Sequence, residues 1–258
     1  MVVEELWRYP VKSMQGELLE AIELTPAGPA GDRLFAIRDL SSGRILTGRR
    51  NPELLIAEAR LDGAVVRITL PDGSATGSDD TEVDRVLSAW LGRPVRLERW
   101  AGRSAEFEVP AAAELVAWTG RAAGSRVVAT TPSTAFTDAG QLHLVLGDRL
   151  RAMRARFGAG AAARRFRPNL VLSTDPAAPP EAEWENRRVR IGTALLEVTG
   201  QAMRCVMLAR PVRGLPDAEG ILRTLAAESR ARFGLYAEVV EPGRLLTGAT
   251  LELLPGQG

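Results

Sequence analysis

Three residue types occur once each in this 258-residue chain: one cysteine (Cys205), one lysine (Lys12) and one histidine (His143). Cys205 lies in Gly200–Gln201–Ala202–Met203–Arg204–Cys205–Val206–Met207–Leu208, after one strand-like run and at the head of another. A free cysteine in such a run can be a small buried apolar residue. With Arg204 beside it and Gly200 loosening the preceding turn, it can also be a stabilised thiolate, able to bind a soft metal or act as a nucleophile. Position alone leaves both open. Because Lys12 is the sole lysine, 32 of the 33 basic residues are arginine, the skew of a GC-rich bacterial genome. A lysine kept against that background is either a chance surface residue or a site that needs a compact ammonium in place of a planar fork.

A further anion-friendly cluster is Arg164–Arg165–Phe166–Arg167–Pro168–Asn169. Pro168 pushes Arg167 towards an extended conformation, which would let Arg167 and Asn169 face the same side of the strand that follows. A guanidinium and an amide so placed suit phosphate or heterocycle edges, and a solvated basic turn fits the same residues equally well. His143, in the apolar Leu142–His143–Leu144, reads as a hydrogen-bonded core histidine before a catalytic base. Gly158–Ala159–Gly160–Ala161–Ala162–Ala163 has the letters of a dinucleotide fingerprint but follows a helical stretch where a strand is required. No GxSxG elbow and no Walker A sequence occurs.

The elements that must position these residues are mostly short strands. Val2–Tyr9, Glu17–Leu24, Arg33–Leu40 and Arg44–Thr47 are cut by Pro, Gly and Ser turns, and Leu54–Leu61 and Ala64–Leu70 flank the hairpin signal Asp62–Gly63. Val83, Val86, Leu87, Trp90 and Leu91 have helical spacing, and Pro94–Trp100 returns to strand. Small residues from Ala101 to Val128 mark the expected junction. Beyond it the pattern predicts a helix over Gly147–Phe157, strands at Asn169–Ser173, Arg188–Ile191, Ala194–Val198, Val206–Ala209, Tyr236–Glu241 and Thr250–Leu254, and a helix over Asp217–Phe233. Asp175–Pro180 reads as a proline-rich loop. The expected fold is mainly β with peripheral helices: two tandem β-barrel-type domains, residues 1–100 and 101–258.

Composition excludes other classes. A net charge of +1 gives no field for nucleic acid or an anionic membrane, and 45% apolar with 25% charged residues is a folded, soluble composition. One cysteine excludes an internal disulfide, CxxC zinc sites and a cysteine-held iron–sulfur cluster. No signal peptide or spanning segment is legible, so a cytoplasmic protein is expected.

Six motifs in order carry a resemblance. Leu6–Trp7–Arg8–Tyr9–Pro10–Val11–Lys12–Ser13, Gly31–Asp32–Arg33–Leu34–Phe35, Leu46–Thr47–Gly48–Arg49–Arg50, Phe136–Thr137–Asp138, Arg165–Phe166–Arg167–Pro168–Asn169 and Arg204–Cys205 span nearly the whole chain. Together they resemble the MOSC proteins with an N-terminal β-barrel domain, the group that includes the mitochondrial amidoxime-reducing component. The resemblance implies a molybdenum cofactor, a pyranopterin dithiolene bearing a phosphate, between the two domains. It implies that Cys205 gives its thiolate to molybdenum, that Lys12, Ser13 and Arg33 hold phosphate and pterin from the N-terminal side, and that Thr137, Asp138, Arg167, Asn169 and the Met203–Arg204 backbone line the cofactor from the other. Asp138 would relay protons. The implied activity is reduction of N-hydroxylated small molecules by a molybdenum oxidoreductase, with electrons from a separate flavoprotein, ferredoxin or cytochrome. A carrier of cofactor, or of a persulfide on Cys205, is the alternative on the same fold. The resemblance also carries a family-level association with pyridoxal phosphate.

Departures from the pattern cluster near the implied pocket. Leu208, Ala209 and Arg210 precede Pro211 where relatives tend to carry threonine and aspartate. Gly140 and Gln141 replace a serine and a proline, and Ala249 an aspartate. These bear on substrate identity more than on cofactor binding.

Overall fold

The computed structural model describes residues 1–108, 128–130, 134–173, 175 and 178–255. The junction expected between Ala101 and Val128 therefore falls largely outside the described residues, as does part of the Asp175–Pro180 loop.

The larger sheet combines strands buried throughout, Leu142–Leu146 and Leu170–Leu172, with the alternating strand Arg188–Ile191. Its eight strands run Leu251–Leu253, Arg188–Ile191, Ala194–Met203, Arg232–Glu241, Leu142–Leu146, Leu170–Leu172, Val3–Arg8 and Glu17–Leu19. All neighbours are antiparallel except Leu142–Leu146 beside Leu170–Leu172. A parallel pair needs a crossover, which here holds the helix Gly147–Phe157 and the short helix Ala163–Phe166. The sheet curls until its far strands meet: Val3 N donates to Ala249 O (3.0 Å), and Leu251 N to Met1 O (2.9 Å). Its core joins Val3, Leu6, Ile22 and Leu24 from the start of the chain to Leu144, Trp184, Leu196 and Leu235. A second core, around Met14, Ile37, Leu54, Ile68 and Leu87, sits among the strands Phe35–Asp39, Glu58–Asp62, Val65–Thr69 and Val95–Arg99 and under the helix Val83–Leu91. The fold is thus mainly β with peripheral helices, as the short, turn-bounded apolar segments predict.

Four local expectations need correction. Leu54–Leu61 splits into a 3-10 turn, Pro52–Ile56, and the strand Glu58–Asp62, because Pro52 stands at the first position of that turn, where its missing N–H is harmless. Val206–Ala209 is a 3-10 turn in which Leu208 N donates to Cys205 O (3.1 Å), not a strand. The helix expected to Phe233 spans only Ile221–Ser229; Gly220, Arg230 and Ala231 are all left-handed, and Phe233 lies in the next strand. Arg44–Thr47 forms only isolated bridges, at Ile45.

Arg230 caps that helix at φ 54°, a region glycine occupies freely, and its side chain is exposed. Arg230→Gly is expected to stabilise the chain by about 1 kcal/mol. Urea denaturation measures this; a lower midpoint contradicts it.

Candidate functional site

A cleft of about 800 Å³, counted out to where it opens to solvent, is lined from both parts of the chain. Five arginines and the one lysine line it, with Asp138 as the single acidic residue among the lining side chains. Every residue that the resemblance implicates lies on its wall.

The N-terminal contribution comes from two crossings. After the strand Val3–Arg8 the chain bends, and Lys12 N donates to Phe35 O (2.8 Å), while Phe35 N donates to Pro10 O (2.9 Å). This locks Lys12 and Ser13 beside Arg33. Ser13 and Arg33 sit at φ 70° and 46°, left-handed conformations unusual for residues with a Cβ. Arg167 is also left-handed (φ 58°, ψ 48°), capping Ala163–Phe166, so the extended conformation expected before Pro168 is not adopted. Closing the short helix outweighs the proline's preference. Strained backbone concentrates where the fold must aim particular side chains.

Lys12 is 5% exposed, and its Nζ donates to Phe136 O (2.8 Å) and to Asp138. Burial lowers its pKa, and Asp138 works against that shift. Burial would raise the Asp138 carboxyl, but the Arg49 and Lys12 charges outweigh it and hold the group well below the usual carboxylate range. Arg49 donates to Asp138 at 2.5 Å and lines the same cleft as Cys205. It was absent from the residues expected at the site, although its motif was legible. Nothing in the sequence distinguishes it from the other arginines except the Gly48 before it: a Cβ there would lie 3.1 Å from Leu55 Cδ2 and 3.2 Å from Met207 Cε.

Other expected ligand groups are already engaged. Asn169 Oδ1 accepts from Arg33 Nη1 (3.1 Å) and His143 N (3.1 Å), while its Nδ2 donates to Trp7 O (3.2 Å). Asn169 thus ties the wall together more than it addresses a ligand. The Arg204 amide donates to Ala231 O (2.7 Å), and Met203 points outward, 65% exposed. Arg165, 2% exposed, spends its guanidinium on carbonyls, including Leu208 O (2.8 Å) and Pro216 O (2.7 Å).

His143 is the buried, hydrogen-bonded residue its sequence context suggests. Arg204 Nη1 donates to its Nε2 (3.1 Å), which leaves Nδ1–H to donate to Arg167 O (3.3 Å). Burial first, then the Arg204 charge, lowers its pKa well below 6.5, so it is neutral when folded. The unfolded chain takes up a proton here as pH falls below about 6.5, and the folded chain does not. Stability should therefore fall with pH, by up to about 1.4 kcal/mol per unit below that value. His143→Gln should flatten this slope in urea titrations at pH 5 and 7; an unchanged slope contradicts it.

The polar atoms left unsatisfied indicate what kind of ligand the cleft suits. Among the described residues, Thr137 Oγ1, Arg49 Nη1 and Arg204 Nε are buried polar atoms without a partner. Ser13 Oγ accepts from Gly48 N (2.9 Å), which leaves its hydrogen to donate. Such a donor set fits an anionic ligand rich in acceptors. Among the described residues no three His, Cys, Asp or Glu side chains come together to hold a metal. Cys205 is the one thiol on this wall, and the donors around it are compatible with an anionic cofactor that bears a phosphate.

Fold and cleft together define a mainly β protein whose lone thiol sits in a cationic cleft. Residues 1–104 match the family model of the MOSC N-terminal beta barrel domain, and residues 131–252 that of the MOSC domain. The chain belongs to the MOSC proteins that carry this N-terminal β-barrel domain, and the MOSC domain family is one that binds molybdenum cofactor. Among solved structures, the YuaD protein from Bacillus subtilis is 12% identical, covering 98% of this chain and 94% of that one, with a TM-score of 0.44. YiiM from Geobacillus stearothermophilus is 16% identical over 50% of this chain and 67% of that one (TM-score 0.35), and YiiM from Escherichia coli 19% over 45% and 55% (0.33). No curated protein matches the chain. Among the described residues no helix is long and apolar enough to cross a membrane.

Proposed function

We propose that this chain holds a molybdenum pterin in the cleft and reduces N-hydroxylated small molecules, with electrons from a separate donor protein. The observation that carries the reading is the placement of Cys205 on the same wall as the cationic groups and the orphaned donors Thr137 Oγ1, Arg49 Nη1 and Arg204 Nε. When bound, the cofactor supplies two-electron chemistry: a hydroxylamine-type N–O bond is cleaved, two electrons and two protons are consumed, and amine and water form.

The chain's own residues bind and orient. Cys205 supplies the thiolate. Arg33 and Arg167 take the anionic end, and Ser13 and Thr137 donate hydrogen bonds to pterin or phosphate oxygens. Lys12 and Arg49 hold the Asp138 carboxylate ionised at the cleft mouth, where its side chain is 30% exposed. A carboxylate with so depressed a pKa is a poor store for a proton at neutral pH. In this reading Asp138 keeps the two cations in place, and protons arrive through solvent at the mouth.

The test is turnover of benzamidoxime by cofactor-loaded protein with a chemical reductant. Amidine formation is expected; absence of turnover across several N-hydroxylated substrates sinks the reductase reading. Rapid release of the cofactor to an apo-enzyme, or a persulfide mass shift on Cys205, would favour the carrier alternative.

A further inference from the structure

We propose that Tyr9 is a positioning residue that holds Arg33 and Arg167 as a preset pair for one tetrahedral dianion. This rests on the reading above that the cleft binds a phosphorylated ligand. Tyr9 follows the strand Val3–Arg8 and is fully buried. The Arg167 guanidinium carbon lies 4.3 Å from its ring centroid and that of Arg33 4.7 Å. Its hydroxyl is buried with no partner, and burial pushes its ionisation above the ordinary phenol value. A neutral phenol with an idle hydroxyl can attract two guanidiniums only through its π face.

Each arginine has its own polar anchor, since Arg33 Nη1 donates to Asp32 and to Asn169 Oδ1 (3.1 Å) and Arg167 Nη1 donates to Met14 O, and the ring gives the two guanidinium groups a shared plane. Both arginines are left-handed, and the two like charges repel: burial and then the Arg33 charge lower the Arg167 pKa to about 10. Their direct link is one long hydrogen bond, Arg33 Nη2 to Arg167 O at 3.5 Å. The ring is fixed through the Tyr9 backbone, with no hydrogen bond from its hydroxyl. Tyr9 N donates to Asp32 Oδ1 (2.8 Å), and Tyr9 O accepts from Arg33 N (2.8 Å). Gly16 leaves room for it, since a Cβ there would lie 2.7 Å from Tyr9 Cδ1 and 2.1 Å from Arg8 O. Two cations stacked on one fixed ring are pre-oriented before a ligand arrives, and a pre-oriented fork binds an oxyanion without first paying to be ordered.

The matching chemistry is a phosphate, either free or as the monoester end of a bound cofactor. Two arms separate these sources: calorimetry of inorganic phosphate on the full chain from a host unable to make the pterin, and pterin content per chain after expression in a host that makes it. Tyr9→Phe keeps the ring and should rescue phosphate affinity to within about twofold of the native chain. Tyr9→Leu should weaken it about tenfold, the size of a desolvated cation–π contact. Arg167→Lys, which keeps the charge but not the stacking plane, should do the same, and the double variant should lose less than the product of the two single losses, because only the Arg33 stacking is left for Tyr9→Leu to remove. Pterin content should follow the same order.

Equal losses in Tyr9→Phe and Tyr9→Leu, or losses that multiply in the double variant, overturn the proposal, as does a native chain that binds no phosphate. Should Tyr9→Leu unfold, native affinity in Arg167→Lys overturns it instead. Native chains that bind phosphate in the predicted order but never carry pterin would sink the cofactor reading and leave the arginine pair standing.

Discussion

Replacing Asp138 by alanine is expected to destabilise the ligand-free chain by about 1–2 kcal/mol: Lys12 is buried, but solvent at the cleft mouth screens the 30% exposed Asp138 side chain and keeps the cost below that of a fully buried pair. The effect falls on what Asp138 leaves behind. Lys12 is 5% exposed and would keep a single neutral acceptor, Phe136 O. Arg49 would lose its 2.5 Å partner while its Nη1 is already orphaned. Asp138→Asn keeps the shape and one acceptor and should recover part of the loss. The pair also sets an acid limit. Because the folded carboxyl titrates below its unfolded value, its contribution is fully present above about pH 4 and is lost as pH falls through the folded pKa. Asp138→Ala should therefore show less acid destabilisation between pH 4 and 2 than the native chain, and urea midpoints across that range measure it. A midpoint at pH 7 unchanged by Asp138→Ala contradicts the account of Lys12 and Arg49 as cations held in place by Asp138.

Cys205→Ala is expected to leave the fold intact and abolish reductive turnover, by at least about a hundredfold. Cys205 is half-buried at the head of a 3-10 turn, where alanine keeps the backbone and loses a single atom, so thermal midpoints should move by no more than a few degrees. The chemistry has no substitute: Cys205 is the only cysteine of the chain, and no histidine other than the engaged His143 is present. Cys205→Ser should fail likewise, since a hydroxyl is a hard and weakly acidic ligand for a metal that prefers thiolate. Native turnover in either variant would remove Cys205 from the mechanism.

How much of this was legible in the residues follows from the range of each signal. Val83–Leu91 and Gly147–Phe157 were readable because apolar residues repeat at helical spacing over several turns. Arg188–Ile191 was readable because its alternation is bounded by clear turn residues. Pro52–Ile56 and Val206–Ala209 were not: four or five apolar residues cannot separate a strand from a tight turn. The closure of the larger sheet by Met1, Val3, Ala249 and Leu251 has no local signature at all, since it pairs residues at opposite ends of the chain. Around the cleft, the motifs pointed to residues that the fold does bring together, while composition alone left Cys205 and Lys12 undecided. Arg49 escaped because one arginine among 32 carries no mark of its partner. The engagement of the Asn169 amide and the Arg204 backbone depends on which carbonyls lie within 3 Å, and that is a property of packing.

The scarcity that singled out Cys205 and Lys12 now has a physical form. The thiol and the ammonium sit on one cationic wall, with Asp138 pairing Lys12 and Arg49 on it. The most direct measurement of that account is the molybdenum content of the full chain expressed in a host that makes the cofactor, with Cys205→Ala prepared in parallel. The account predicts close to one molybdenum per native chain and a large loss in the variant; native protein free of molybdenum, or a variant that retains it equally, contradicts it.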